Sequence, residues 1–194
     1  MINITKNDIL QSFVEIVSAE NISKISGGLD VINKIAIKLN TSPQYITLLF
    51  NNQAKDIINF YFENHNQSLI ETINQNQTIS DEKSLTNKIK AIFAKKIELL
   101  YCDKEFIKNI SKYLAMPQNI ILAIKINAQQ SDNIWKASLH NPSDFSYYTK
   151  RLSLAVIYAL VISKFIKNDS LENILQFSNT AIDGYVKFMS KVFK

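Results

Sequence analysis

Residues 27–50 read GGLDVINKIAIKLNTSPQYITLLF, and this stretch decides the fold. Leu29, Ile32, Ile35, Ala36 and Leu39 recur at helical spacing, so the Gly27-Gly28 pair opens a short amphipathic helix. Thr41-Ser42-Pro43 then supplies a cap with proline in the first turn of a following helix, which ends near Phe50. Two short helices about a tight turn have the spacing of a helix-turn-helix. Upstream, Thr5 and Asp8 form a capping pair ahead of Ile9, Leu10, Phe13, Val14, Ile16 and Val17, a first helix. Downstream, Asn51-Asn52 opens a long fourth helix that runs through Ile73.

Three glycines and three prolines among 194 residues leave few breakers, and no strand-like alternation of any length occurs. The reading is all-α, nine helices, with the later ones near 82–101, 104–115, 117–138, 145–167 and 170–193. The polar stretch Asn74 to Ser84 is the best boundary between head and body, with a helix-turn-helix-like head expected over 1–50 and a helical body over 51–194. At 46% apolar and 20% charged the chain is globular and long enough to bury a core. Its net charge of +5 suits a phosphate-rich partner, nucleic acid or anionic bilayer, without choosing between them. The single cysteine, Cys102, excludes an intramolecular disulfide and reads as a helix-end core residue. The first ten residues have neither a signal-peptide pattern nor an Arg-rich leader, so a cytoplasmic protein, or a processed one, is expected. The apolar run Leu152 to Ile166 is shorter than the ~20 residues that cross hydrocarbon and is read as a buried helix.

Three short helices before a long one is how tetracycline-repressor-type regulators begin, so base readout is the first function to test. A recognition helix needs Arg, Lys, Asn or Gln toward base edges and cations toward phosphates. Between Ser42 and Phe50 stand Gln44, Tyr45 and Thr47 but no Lys or Arg, and Leu48 and Leu49 occupy positions where a phosphate contact is usual. The head reads as a retained scaffold and nucleic-acid binding is not expected; Lys34 and Lys38 read as solvated. Enzyme chemistry is not expected either. His65 and His140 belong to no cluster with metal-ligand spacing, and no phosphate loop or nucleophile elbow occurs, so no metal and no cofactor are assigned. His65 reads as a half-buried helix residue and His140 as a loop residue.

In the body, Ile134, Trp135, Tyr158, Ile162 and Phe165 recur at helical spacing beside Ile89, Ile92, Phe93, Ile97, Ile121 and Ile124. Such residues either wall an apolar cavity between helices or fill a close-packed core, and spacing leaves both open. The stretch Asp144 to Arg151 (DFSYYTKR) is either an ordinary capped helix start or a protein-contact anchor of rings and fixed cations. Near the end of the chain Ile182, Tyr185, Val186, Met189, Val192 and Phe193 oppose Lys187, Lys191 and Lys194. This basic amphipathic segment suits either a bilayer interface or packing within a dimer.

Trp135, Asp144, Phe145, Tyr148, Thr149, Lys150, Arg151, Leu154, Ala155 and Tyr158, with Asp169-Ser170 beyond, resemble the signature of the TetR-like lipid-binding accessory proteins of ubiquinone biosynthesis, the ninth coenzyme Q family. Tyr147 replaces that family's usual Trp, Leu139-His140 replaces its Gly-Asp pair, and Asp169 and Ser170 are adjacent where the family separates them. The strong match covers roughly the last third of the chain. The resemblance implies a homodimeric TetR-like fold, peripheral at the inner membrane face or in the mitochondrial matrix. It implies an isoprenoid quinone or phospholipid as ligand, with Ile134, Trp135, Tyr158, Ile162 and Phe165 around it. The implied partner is the di-iron demethoxyubiquinone hydroxylase, met by Asp144, Tyr147, Tyr148, Lys150 and Arg151. The runner-up is a TetR-type regulator sensing an apolar ligand, and a third reading is a structural dimer with no ligand.

Overall fold

The computed structural model describes residues 4–20, 29–51, 54–138 and 146–192, and among them every regular element is helical. Ten α-helices follow in order: α1 Lys6–Ala19, α2 Leu29–Lys38, α3 Pro43–Leu49, α4 Ala54–Gln75, α5 Gln77–Ser80, α6 Leu85–Cys102, α7 Lys104–Leu114, α8 Ile120–Ala137, α9 Ser146–Ile166 and α10 Leu171–Val192. The architecture is all-α and TetR-like.

α1, α3, α5, α6 and α10 each start on a short polar side chain. Thr5 Oγ1 accepts from the Asp8 N–H at 3.2 Å while Asp8 Oδ2 accepts from the Thr5 N–H at 2.7 Å, a reciprocal capping box. Ser42 caps α3 with Pro43 in its first turn, as expected, and Ser84 and Ser170 cap α6 and α10 by accepting from Asn87 and Asn173 N–H. The turns after α2 and α9 place Asn40 at φ 49° and Asn168 at φ 63°, the left-handed region that asparagine tolerates better than most residues.

The head is built on α1, whose Ile9, Phe13 and Val17 are fully buried. α1 packs against α2, α4 and α7, and Asn109 of α7 donates to the Val17 carbonyl at 2.8 Å. Tyr45 of α3 donates to the Ile4 carbonyl at 3.0 Å. One core therefore runs from α1 through α4 into the body, with Phe13 and Phe106 edge to face at 5.8 Å. In the body α9 touches α7, α8 and α10, while α6 lies against α10 and α4. Contact on three sides accounts for the inner part of the apolar run read in the sequence: Leu154, Ile157, Tyr158, Val161 and Phe165 all face neighbours, while Leu152, Val156 and Leu160 are exposed. No helix among the described residues is long and apolar enough to cross a membrane.

Three expectations change. Among the described residues the α-helices number ten, not nine, because Asn76 caps a single turn, α5, inside the stretch from Asn74 to Ser84. Ile79 of that turn is buried against the body, so the stretch is packed, polar composition notwithstanding. Cys102 does end a helix, but it is exposed and its thiol points back to the Glu98 carbonyl. Lys34 and Lys38, at the surface as expected, are ion-paired to Glu20 and Glu15. His65 is half-buried, with Nε2 3.3 Å from Asp103 Oδ2, and Tyr61 donates to the same carboxylate oxygen at 3.0 Å. These two contacts hold the Asp103 carboxyl below its ordinary pKa.

Lys96 of α6 is fully buried and donates to Asn66 Oδ1 on α4 at 2.5 Å. Burial lowers its pKa from the usual 10.5 to about 7. Between these two values the unfolded chain holds a proton that the folded chain has lost, so stability rises with pH across this window. Replacing Lys96 by Met should raise the urea-derived stability at pH 7 by a few kcal/mol and flatten its rise toward pH ~10. A variant less stable than the parent at pH 7 would show that the Asn66 contact outweighs desolvation.

Candidate ligand cavity and contact surface

α8 and α9 run antiparallel, fixed by two polar contacts. Asn127 donates to the Ala155 carbonyl at 3.0 Å, and about one turn away Arg151 meets Asp132 at 2.5 Å. Lys136 reaches the other oxygen of Asp132 at 2.8 Å, so one carboxylate holds two cations. Both Asp132 and Arg151 are about three-quarters buried, which strengthens their attraction relative to a surface pair.

Where α7 closes against this pair a cavity of about 230 Å³ opens, walled by Phe62, Ile107, Leu114, Ile126, Tyr158 and Ile162. Its polar exceptions are Ser111, Asn127, Ser163 and the Tyr158 hydroxyl. The Tyr158 hydroxyl is wholly buried without a hydrogen-bond partner, and burial pushes its pKa well above the ordinary value. Leaving such a group unanswered costs ~1–3 kcal/mol, so the site favours any occupant that satisfies it. An engineered apolar cavity of ~150 Å³ holds benzene. By that scale 230 Å³ takes the end of an amphiphile and not the whole of one. Ala123, Ala159, Ile162 and Ser163 are only partly covered and form its mouth.

The five expected ligand residues divide. Tyr158 and Ile162 line this cavity. Trp135 lines a smaller one of about 110 Å³, with Lys150, Leu154, Ile157, Ile182 and Tyr185. Ile134 and Phe165 line neither; both are fully buried, and Phe165 packs on Tyr101 with ring centroids 6.1 Å apart. Ile89, Ile92, Phe93 and Ile97 are buried in the core, but Ile121 and Ile124 are 82% and 63% exposed. The reason is that α8 turns Ile126, Gln130 and Ile134 inward, one face around from those two isoleucines. With Leu152, Val156 and Leu160 of α9 they leave apolar side chains exposed on both members of the antiparallel pair. Sequence reasoning missed the α7 wall. Ile107, Ser111 and Leu114 share one face of that helix, a pattern visible in the sequence that carries no sign of what it faces.

Of the expected contact residues, Asp144 lies outside the described residues. Tyr147 and Tyr148 fall in the first turn of α9, with their side chains outside what is described. Lys150 Nζ stands 5.8 Å from the centre of the Trp135 ring. Arg151 pairs with Asp132 of its own chain at 2.5 Å. The Asp169-Ser170 pair also finds a structural use: Asp169 pairs with Lys164 at 3.3 Å and Ser170 caps α10.

In the head, the polar atoms of Tyr45 and Thr47 are spent on the carbonyls of Ile4 and Pro43, while Leu48 is 76% exposed. On α10, Ile182 is buried, Tyr185 and Met189 are half-buried, and Val186, Lys187, Phe188 and Lys191 are exposed; Val192 and Phe193 have side chains outside the described residues. No cluster of metal-ligating side chains occurs among the described residues.

The COQ9 family model matches residues 120–188 of the 194, the segment that holds α8, α9 and most of α10. This is the accessory family of coenzyme Q biosynthesis, an accessory family and not a catalytic one. No curated protein matches the chain. The match covers Arg151 and Asp132, and a double-mutant cycle with Arg151→Ala and Asp132→Ala should give a coupling of about 1–3 kcal/mol in unfolding free energy. A coupling below ~0.3 kcal/mol would mean that the pair does not fix α8 against α9.

Proposed function

We propose, from the premise that the COQ9 segment gives this chain a role in ubiquinone biosynthesis, that the cavity between α7, α8 and α9 receives the isoprenoid end of a quinone precursor or a phospholipid chain. The protein then presents that molecule to the di-iron demethoxyubiquinone hydroxylase. The observation that carries the reading is an apolar cavity of about 230 Å³ whose α8 and α9 walls belong to the matched segment. Its one wholly buried hydroxyl, Tyr158, lacks a partner. Each methylene taken from water gains about 0.8 kcal/mol, so an isoprene unit gains on the order of 3–4 kcal/mol before ordering costs. That gain lowers the barrier to lifting a polyprenyl molecule partly out of a bilayer toward a protein partner.

In this reading the protein acts as a homodimer, peripheral at the inner membrane face. The exposed Phe188 beside Lys187 and Lys191 on α10 supports the membrane approach, having the composition of an interfacial helix end. The hydroxylase contact is assigned to the start of α9, where Tyr147, Tyr148 and Lys150 stand in sequence before the Asp132–Arg151 pair.

Organic extraction of natively purified protein, read by mass spectrometry against a mock purification, should yield near-stoichiometric isoprenoid quinone or phospholipid. Ile162→Trp, which fills the cavity mouth, should lower that load at least tenfold while the far-UV melt keeps its midpoint. A parent protein with no lipid and an intact fold would return the cavity to a packing defect. Tyr147→Ala with Tyr148→Ala should abolish co-precipitation of the hydroxylase and leave the lipid load unchanged. Retained hydroxylase binding would move the contact elsewhere.

A further inference from the structure

On the other side of Phe62 from the apolar cavity lies a second space of different chemistry. Between α4 and α8 a cleft of about 370 Å³ is lined by Asn59, Glu63, Asn66, Gln129, Gln130 and Asn133, with Asp132 and Lys136 at its edge and Phe62 in its wall. Phe62 also lines the apolar cavity, and along α8 the two linings follow one another, Ile126 and Asn127 in one and Gln129 and Gln130 in the other.

Its amides are not spent on the fold. Gln130 is 1% exposed, yet its amide oxygen has no hydrogen-bond partner, and the buried amide oxygen of Asn59 has none either. Two orphaned acceptors in one cleft cost ~1–3 kcal/mol each unless something answers them. Asn66 is held differently: buried Lys96 donates to its oxygen at 2.5 Å, leaving its amide nitrogen as the end available to the cleft. Acceptors and a donor together suit a group that both gives and takes hydrogen bonds.

Charge narrows the class. Glu63 and Asp132 disfavour a phosphate or carboxylate, and the edge cation Lys136 is already paired with Asp132 at 2.8 Å. An ammonium gains only Glu63, which is exposed. A neutral ring bearing hydroxyl and carbonyl oxygens meets the amides without paying for either charge.

We propose that the α4–α8 cleft is the head-group subsite of the ligand cavity, where Gln130, Asn59 and Asn66 receive a neutral hydroxylated ring whose apolar tail lies past Phe62. This rests on the ligand-binding reading above and adds to it the residues that choose the head group. Phe62, 6% exposed and shared by both walls, is the side chain that has to turn as the ligand threads between them.

The test uses the delipidated full chain and two probes that differ by one hydroxyl, para-butylphenol and butylbenzene, titrated by calorimetry. The parent should bind the phenol about tenfold more tightly, the factor expected of a buried hydrogen bond worth ~1.4 kcal/mol. Gln130→Leu combined with Asn59→Leu should erase that preference while the hydrocarbon binds as before, since a phenol hydroxyl donates to one acceptor at a time. Tyr158→Phe should keep it, because Tyr158 lines only the apolar cavity of the two. Equal binding of both probes by the parent, or a preference that survives the combined Gln130→Leu and Asn59→Leu replacement, overturns the head-group subsite and leaves the lipid reading standing. Binding of neither probe overturns both.

Discussion

α9 is the constraint on which the body depends. α9 turns Leu154, Ile157, Tyr158, Val161 and Phe165 toward three neighbours and leaves only the Leu152, Val156 and Leu160 face outward, so α7, α8 and α10 must be arranged around it. Burying such side chains is worth roughly 1.5–3 kcal/mol each, far more than any surface ion pair in the molecule. The polar contacts then select among the ways of packing: Asn127 to the Ala155 carbonyl and Asp132 to Arg151 set the sliding register of α8 on α9. The cavity is the remainder of that packing, the volume that α7 cannot fill because Ala115, Ala123 and Ala159 offer too little side chain at its mouth.

The starts of the helices were legible because their signals are local. Thr5 with Asp8 and Ser42-Pro43 act within four residues, and the structure uses them as read. α5 was hidden because its one turn is made by the Asn76 cap and the burial of Ile79, a tertiary effect in a polar context. Ile121 and Ile124 show the limit of periodicity: an apolar residue at helical spacing belongs to some face, and only the neighbouring helix decides whether that face is covered. Tyr158 and Ile162 line the larger cavity, whereas Ile134 and Phe165, with identical sequence credentials, went to solid core. The α4–α8 cleft gave no sign in advance, since asparagine and glutamine scattered along two distant helices look like ordinary solvated residues until folding brings Asn59, Asn66 and Gln130 together.

Resemblance and geometry agree on the same third of the chain but assign some of its residues differently. Arg151 and the Asp169-Ser170 pair belong to the recognisable signature, and in the structure each performs a packing or capping task. A signature of this kind preserves the frame that holds a site as well as the site itself. Lys150, resting over Trp135, lines the small second cavity together with that ring.

Asn168 carries a consequence of a different kind. Its left-handed backbone lets the chain reverse within four residues, with Asn168 and Asp169 N–H groups returning to the Phe165 and Lys164 carbonyls. Asparagine here does what glycine does at most helix ends, in a chain that has only three glycines. The Cβ that glycine lacks removes part of the freedom the loop would otherwise have in the unfolded state. The corner between α9 and α10 is thus stiffened from the unfolded side of the equilibrium, so backbone handedness joins the packing of α10 on α6 and α9 in setting the direction of the last helix.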